Sequence, residues 1–354
     1  MKINIKNIRV KSICATLFIS LFLSCNSGVI EELEKKNTFF DSLIKIGHGF
    51  QEIFGSFGDA FGFSAFKSGD KRSAVGAHFE KIKIGLKGTK DKLDEFATKI
   101  SSIPYADTTI VKGEIKGAND VFDKLIAALT KLAGATNDST NDIGNTASGA
   151  KAGVADKPEV EVVIAGVKEI IDAAVKSGVQ IEQGKEGSPV GSASGDGATG
   201  VLVGKNNSSA PAANAGFKLA DEVAKADPWA MIDKIKDANA GAELSATSEA
   251  GALATKIDTS NTAGAKTNAD LAAATALKAM TKGSGKLTAN GANNEPDAVK
   301  AAGVSAVNKV LGILDLIIRK TVANNLEKIK EAVKKITYSE TEGTNATEAG
   351  TVTK

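Results

Sequence analysis

Cysteine and histidine are nearly absent from this chain, each occurring twice in 354 residues. His48 and His78 are too few to build a His-rich metal centre, and no motif supplies either with a catalytic partner. Both cysteines, Cys14 and Cys25, lie in the first twenty-five residues, so the rest of the chain has no thiol for a disulfide, a thiolate nucleophile or a Cys metal site. One Trp, two Tyr and three Met mark a chain built mainly from aliphatics, alanine and lysine. No excess of one charge is present, and no run alternates apolar and polar residues as a half-buried strand does.

What is present begins with a leader. Lys2, Lys6, Arg9 and Lys11 form a basic segment, Ile13 to Leu23 an apolar one, and small Ser24 precedes Cys25. The apolar segment is well short of the roughly 20 residues a bilayer-spanning helix needs, so the stretch reads as an export signal, residues 1–24, cleaved before Cys25. Phe22, Leu23 and Ser24 form a relaxed lipoprotein box, which makes Cys25 the site of lipid attachment. At about 0.8 kcal/mol per buried CH₂, one acyl chain binds a membrane reversibly and two or more hold it. Cleavage removes four of the 44 Lys+Arg and none of the 42 Asp+Glu, leaving 40 against 42; that balance carries no nucleic-acid footprint.

Within the mature chain, residues 25–336 are patterned as a helical domain. Leu43, Ile46, Phe50, Ile53, Phe57 and Phe61 step by three and four, as do Val75 to Leu86, Leu93 to Ile103 and Val111 to Leu132. Ser73 stands where an N-cap belongs. Pro158 opens another helix with Val160, Ile164, Val167, Ile171 and Ala174 inward, and Asp227–Pro228 a further one. Leu271 to Met280 is a compact alanine helix ended by Gly283 and Gly285, and Val304 to Ile336 carries the longest stripe. Between these, 134–157, 183–215 and 238–267 are rich in Ala, Gly, Ser, Thr and Asn and read as exposed loops; 337–354 reads as a polar, disordered tail. The expected fold is all-α, an elongated helical bundle with its low-complexity loops at the membrane-distal end.

Gly195, Gly197 and Gly200 spell G-x-G-x-x-G without the preceding strand that a dinucleotide site requires, so composition accounts for them. Lys81, Lys83 and Lys87 could meet a sulfated sugar, although Asp91, Asp94 and Glu95 follow closely and suit a solvated helix face. No catalytic constellation emerges, and neither a cofactor nor a metal is called for beyond the lipid on Cys25.

Three runs carry a family resemblance: VGAHFEKIKIGLKGTKDKLDEF (Val75 to Phe96), AAATALKAMTKGSGKL (Ala272 to Leu287) and VSAVNKVLGILDLIIRKTV (Val304 to Val322). Behind a relaxed lipoprotein box, they resemble the variable large proteins of relapsing-fever Borrelia and the related Vmp-like expressed lipoprotein of Lyme spirochaetes. The resemblance spans nearly the whole chain. It implies a helical lipoprotein of the cell outer membrane, held by Cys25 and facing outward, that is exchanged among versions so that host antibodies lose their target. It also implies that Asp270 to Leu287 is a constant helix covered by its neighbours, with the three loop segments as the variable part. The alternative expectation is a non-enzymatic adhesin for host matrix or glycosaminoglycan using Lys81, Lys83 and Lys87.

Overall fold

The computed structural model describes residues 30–60, 62–191, 197–205 and 210–339. The expected leader, Cys25, Phe61, Gly195 and residues 340–354 of the expected tail lie outside them. The described elements are α1 (Ile30–Ala60), α2 (Arg72–Ser101), α3 (Thr109–Thr136), β1 (Thr146–Ser148), α4 (Lys157–Lys176), α5 (Gly200–Val203), α6 (Ala215–Lys225), α7 (Pro228–Lys236), α8 (Ala250–Thr255), α9 (Asn268–Met280), β2 (Leu287–Ala289) and α10 (Glu295–Val333). The fold is helical, as expected.

The chain divides into two compact units, the first drawn from Met1–Gly58, Gly88–Asn119 and Leu326–Lys354, the second from Asp59–Lys87 and Asp120–Asn325. In the first, the expected stripes close on one another. Phe39, Leu43, Ile46, Phe50 and Ile53 of α1, Leu93, Phe96 and Ile100 of α2, Val111 and Ile115 of α3, and Leu326 and Ile329 of α10 are all buried. Their spacing of three and four puts them on one face of each helix, and removing that face from water drives the packing. Phe50 and Phe96 meet with ring centroids 5.4 Å apart. The supposed tail begins inside this unit, since Tyr338 forms a β-bridge with Ala106.

The second unit departs further from the pattern. Its helices are α4 to α9 with the adjoining parts of α2, α3 and α10, and it holds a small parallel ribbon in which Thr146, Ala147 and Ser148 pair with Leu287, Thr288 and Ala289. Helix α2 starts at Arg72, and its first amides are capped by another segment: Arg72 donates to the Asn141 carbonyl and Ser73 to that of Asp138. Ser73 is therefore not the cap. On α4 the buried residues include Val160, Val163, Val167, Ile170, Ile171 and Ala174, with Ile164 only half-buried. Gly166 turns them toward α3, where a side chain at 166 would come within 2.7 Å of Leu132 Cγ.

The three segments expected as exposed loops are exposed only in part. Ile143, Ala152 and Ala155 are buried in the first. The second holds α5, whose residues Gly200–Val203 are all buried, and the third holds α8, Ala250–Thr255, likewise buried throughout. Alanine and glycine bury almost nothing individually, so a pattern read from large apolar residues passes over them, yet they let backbones approach. Gly251 sits directly against the Asn239 carbonyl.

Close approach also decides the sign of substitutions on α10. A Cβ at Gly303 would lie 2.7 Å from Gly144 Cα, whereas one at Gly312 meets nothing within 4 Å. Helix propensity alone favours Ala at both by up to about 1 kcal/mol. Gly312→Ala should therefore raise the thermal midpoint, while Gly303→Ala should lower it, overpacking costing about 1–3 kcal/mol; melting followed by circular dichroism reads both.

Candidate functional site

Helix α9 is the centre of the second unit, with all thirteen residues from Asn268 to Met280 buried. Six alanines let α4, α5, α6, α7, α8 and β2 pack around it. Its start is locally fixed: the Thr267 hydroxyl accepts from Asp270 N at 3.1 Å and donates to the Asp270 carboxylate at 2.6 Å. The same carboxylate accepts from Ala250 N at 3.3 Å, tying the first residue of α8 to α9. Burial raises the Asp270 pKa, and the Thr267 hydrogen bond and the charge of Lys234 only partly oppose it.

Around α9, charged and amide side chains grip main-chain atoms of the connecting segments. Arg72 is wholly buried; Nη1 donates to the carbonyls of Thr281 at 2.5 Å and Gly283 at 3.1 Å, and Nη2 to that of Gly285 at 2.5 Å. Burial pushes the guanidinium down to about 10, with Asp138 and Asp142 opposing. Lys278, also wholly buried, donates to the Leu202 carbonyl of α5. Lys309 donates to the carbonyls of Val223, Ala224 and Ala226 at the end of α6, at 2.7 to 2.9 Å.

Carboxylates do the converse. Asp227 accepts from Lys185 N and, as the expected cap of α7, from Trp229 N, and these amides hold its pKa down. Asp258 accepts from Ser260 N and Ala263 N, and Glu295 from Asn214 N and Gly216 N. Asn308 pairs with both N and O of Phe66, at 2.9 and 3.0 Å. A hydrogen bond to a charged group contributes about 1.5–3 kcal/mol, and a buried main-chain group left unpaired costs a similar amount.

The lysines named from sequence are not assembled into one site. Lys83 and Lys87 are one helical turn apart on α2, whereas Lys81 is two residues from Lys83 and so on the opposite side. Lys81 and Lys87 are exposed, but the Lys83 side chain is 15% exposed and its ammonium is paired with Glu80 at 2.6 Å. His78 packs edge-on against Phe63 and Phe66, at 5.4 and 6.4 Å between ring centroids, and burial lowers its pKa. Among the described residues, no three His, Cys, Asp or Glu side chains are grouped to hold a metal ion. The backbone-gripping residues escaped sequence reading because a lone Arg or Lys in a helical pattern looks like a solvated face. Only Asp227, followed by Pro228, carried a local signal.

The fold and its anchors define a helical scaffold that holds connecting segments by their main chain. The chain belongs to the Borrelia lipoprotein family, whose model matches residues 50–333. It is 54% identical to variable large protein 14 of Borrelia hermsii, over 97% of this chain and 97% of that protein. It is 55% identical to variable large protein 12 of the same organism, over 97% and 96%. Among solved structures it matches the crystal structure of the Lyme disease variable surface antigen VlsE of Borrelia burgdorferi, with a TM-score of 0.66 and 28% identity over 83% of this chain and 96% of that one. The family resemblance read from the three sequence runs is thereby met.

Lys278 makes the site pH-sensitive. Burial first, and the neighbouring Arg72 charge second, lower its pKa from 10.5 to about 7. Between those values the unfolded chain carries a proton that the folded chain does not, so this residue makes stability rise with pH through that window, with the full penalty at and below its lower edge. In denaturant titrations from about pH 6.5 to 9, the unfolding midpoint of the native chain should climb, and that of Lys278→Met should stay flatter.

Proposed function

We propose that this chain is a lipid-anchored antigen of the outer surface, displayed outward from the cell outer membrane through acyl chains on Cys25. Its exposed loop residues differ between versions of the protein, so host antibody raised against one version fails on the next. The names of its relatives support this reading: variable large proteins in one spirochaete, a variable surface antigen in another. The observation that carries the mechanism is that Arg72, Lys278 and Lys309 donate hydrogen bonds to carbonyl oxygens of the segments they hold. A carbonyl is present whatever residue bears it, so side chains can change while the grip persists. Ser188 is exposed in the segment whose Leu202 carbonyl Lys278 holds, and Glu243, Thr247 and Thr259 are exposed in 238–267, where the Asp258 carboxylate accepts from Ser260 N and Ala263 N.

Two measurements test the reading. Simultaneous replacement of Ser188, Glu243, Thr247 and Thr259 should move stability by no more than about 0.5 kcal/mol per site and abolish binding of antibodies directed at those loops. Arg72→Met should cost on the order of 3 kcal/mol, because three carbonyls lose a charged donor. A loop variant that unfolds, or an Arg72→Met chain as stable as the native one, refutes the mechanism. Protease added to intact cells should remove the chain; full protection would place it behind the outer membrane and sink the display reading.

A further inference from the structure

The chain has two tyrosines, and both come together in the first unit. The rings of Tyr105 and Tyr338 lie 5.8 Å apart, with the ammonium groups of Lys35 and Lys36 at 5.5 Å and 5.8 Å from them respectively. Phe39, buried beneath, meets the Tyr338 ring edge-on at 5.8 Å. The tyrosines and both lysines are half-exposed, and the α2–α3 turn that carries Tyr105 also presents Pro104 and, at the start of α3, Ile110 to solvent, the latter 57% exposed. The turn is held in an unfavourable shape: Tyr105 has φ +58°, a left-handed conformation rare for an aromatic residue. It is fixed there by the Ala106–Tyr338 bridge and by Ser339 N donating to the Tyr105 carbonyl at 2.6 Å.

We propose that this cluster of Lys35, Lys36, Tyr105 and Tyr338 is a contact surface for the headgroup layer of the lipid bilayer. The inference rests on the reading of Cys25 as the lipid-bearing residue. From Cys25 to Ile30 is five residues, at most about 18 Å of extended chain, and Lys35 is about 7.5 Å further along the helix. The cluster is thus tethered within about 25 Å of the acylated sulfur, closer to the bilayer surface than any diffusing partner is held. Its chemistry suits that layer. Tyrosine places an apolar ring against the acyl boundary and its hydroxyl among headgroups, and lysine keeps its stem in apolar surroundings while its ammonium reaches phosphate. Neighbouring lysines also add attraction to anionic lipid.

The test uses the mature lipidated chain in vesicles of brominated phosphatidylcholine and phosphatidylglycerol. In the Trp229→Phe, Tyr338→Trp variant a single tryptophan reports its own depth. Its fluorescence should be quenched by the brominated lipid, and adding Lys35→Glu and Lys36→Glu should reduce that quenching. On the unaltered chain, amide hydrogen exchange of 105–106 and 337–339 should slow on vesicles relative to the same chain with its lipid removed. Vesicle flotation reads the anchor separately. A chain that fails to float refutes the Cys25 reading; a chain that floats but shows neither quenching nor slowed exchange refutes the headgroup contact and leaves the cluster as internal packing.

Discussion

Side chains of the helical frame hold the connecting segments by their peptide groups, and the rest of the second unit depends on that grip. Placing a guanidinium or an ammonium out of water is costly unless its donors find acceptors. Arg72 finds three carbonyls after α9, and Lys278 finds one in α5. Peptide carbonyls neutralise none of the charge, which is why burial pulls both pKa values down and why Asp138, 3.8 Å from Arg72, matters to the balance. What is gained is geometric: segments with few large apolar residues acquire a defined course.

The same logic explains the alanine-rich centre. A helix of small residues such as α9 offers little area per side chain but admits neighbours on all sides, so α5 to α8 surround it. At such distances single atoms are decisive. Gly264 sits directly against the Ala246 carbonyl, and Gly144, at φ +67°, lies under α10, where a side chain would meet the Lys300 carbonyl at 2.7 Å. The segments are therefore tolerant at exposed positions and intolerant at their glycine contacts. The lipoprotein family to which the chain belongs, and the variable antigens it is similar to, are consistent with such a division of labour.

Much of the frame was legible in the sequence. The stripes on α1, α2, α3 and α10 are long, made of large apolar residues and spaced by three and four; the structure buries Leu43 to Ile53 of the α1 stripe and the other three stripes except Val333, which is half-buried. Pro158 and the pair Asp227–Pro228 marked helix starts because proline fixes φ and aspartate accepts main-chain amides within its own segment. Ser73 misled because the acceptors for α2 come from Asp138 and Asn141, more than sixty residues later. α5 and α8 were missed because four to six residues are too short to show a helical period. The anchors were missed because charge in a helix is ordinarily solvated; for Arg72 and Lys278 it is not.

By itself the sequence determined the helical class and the positions of the long amphipathic faces, since both follow from local spacing and residue chemistry. Only the tertiary structure decided which small residues are buried, which charges face inward and which main-chain groups they hold. Those outcomes depend on partners far apart along the chain, and a carbonyl oxygen, being common to every residue, leaves no mark in the sequence that it has been chosen as a partner.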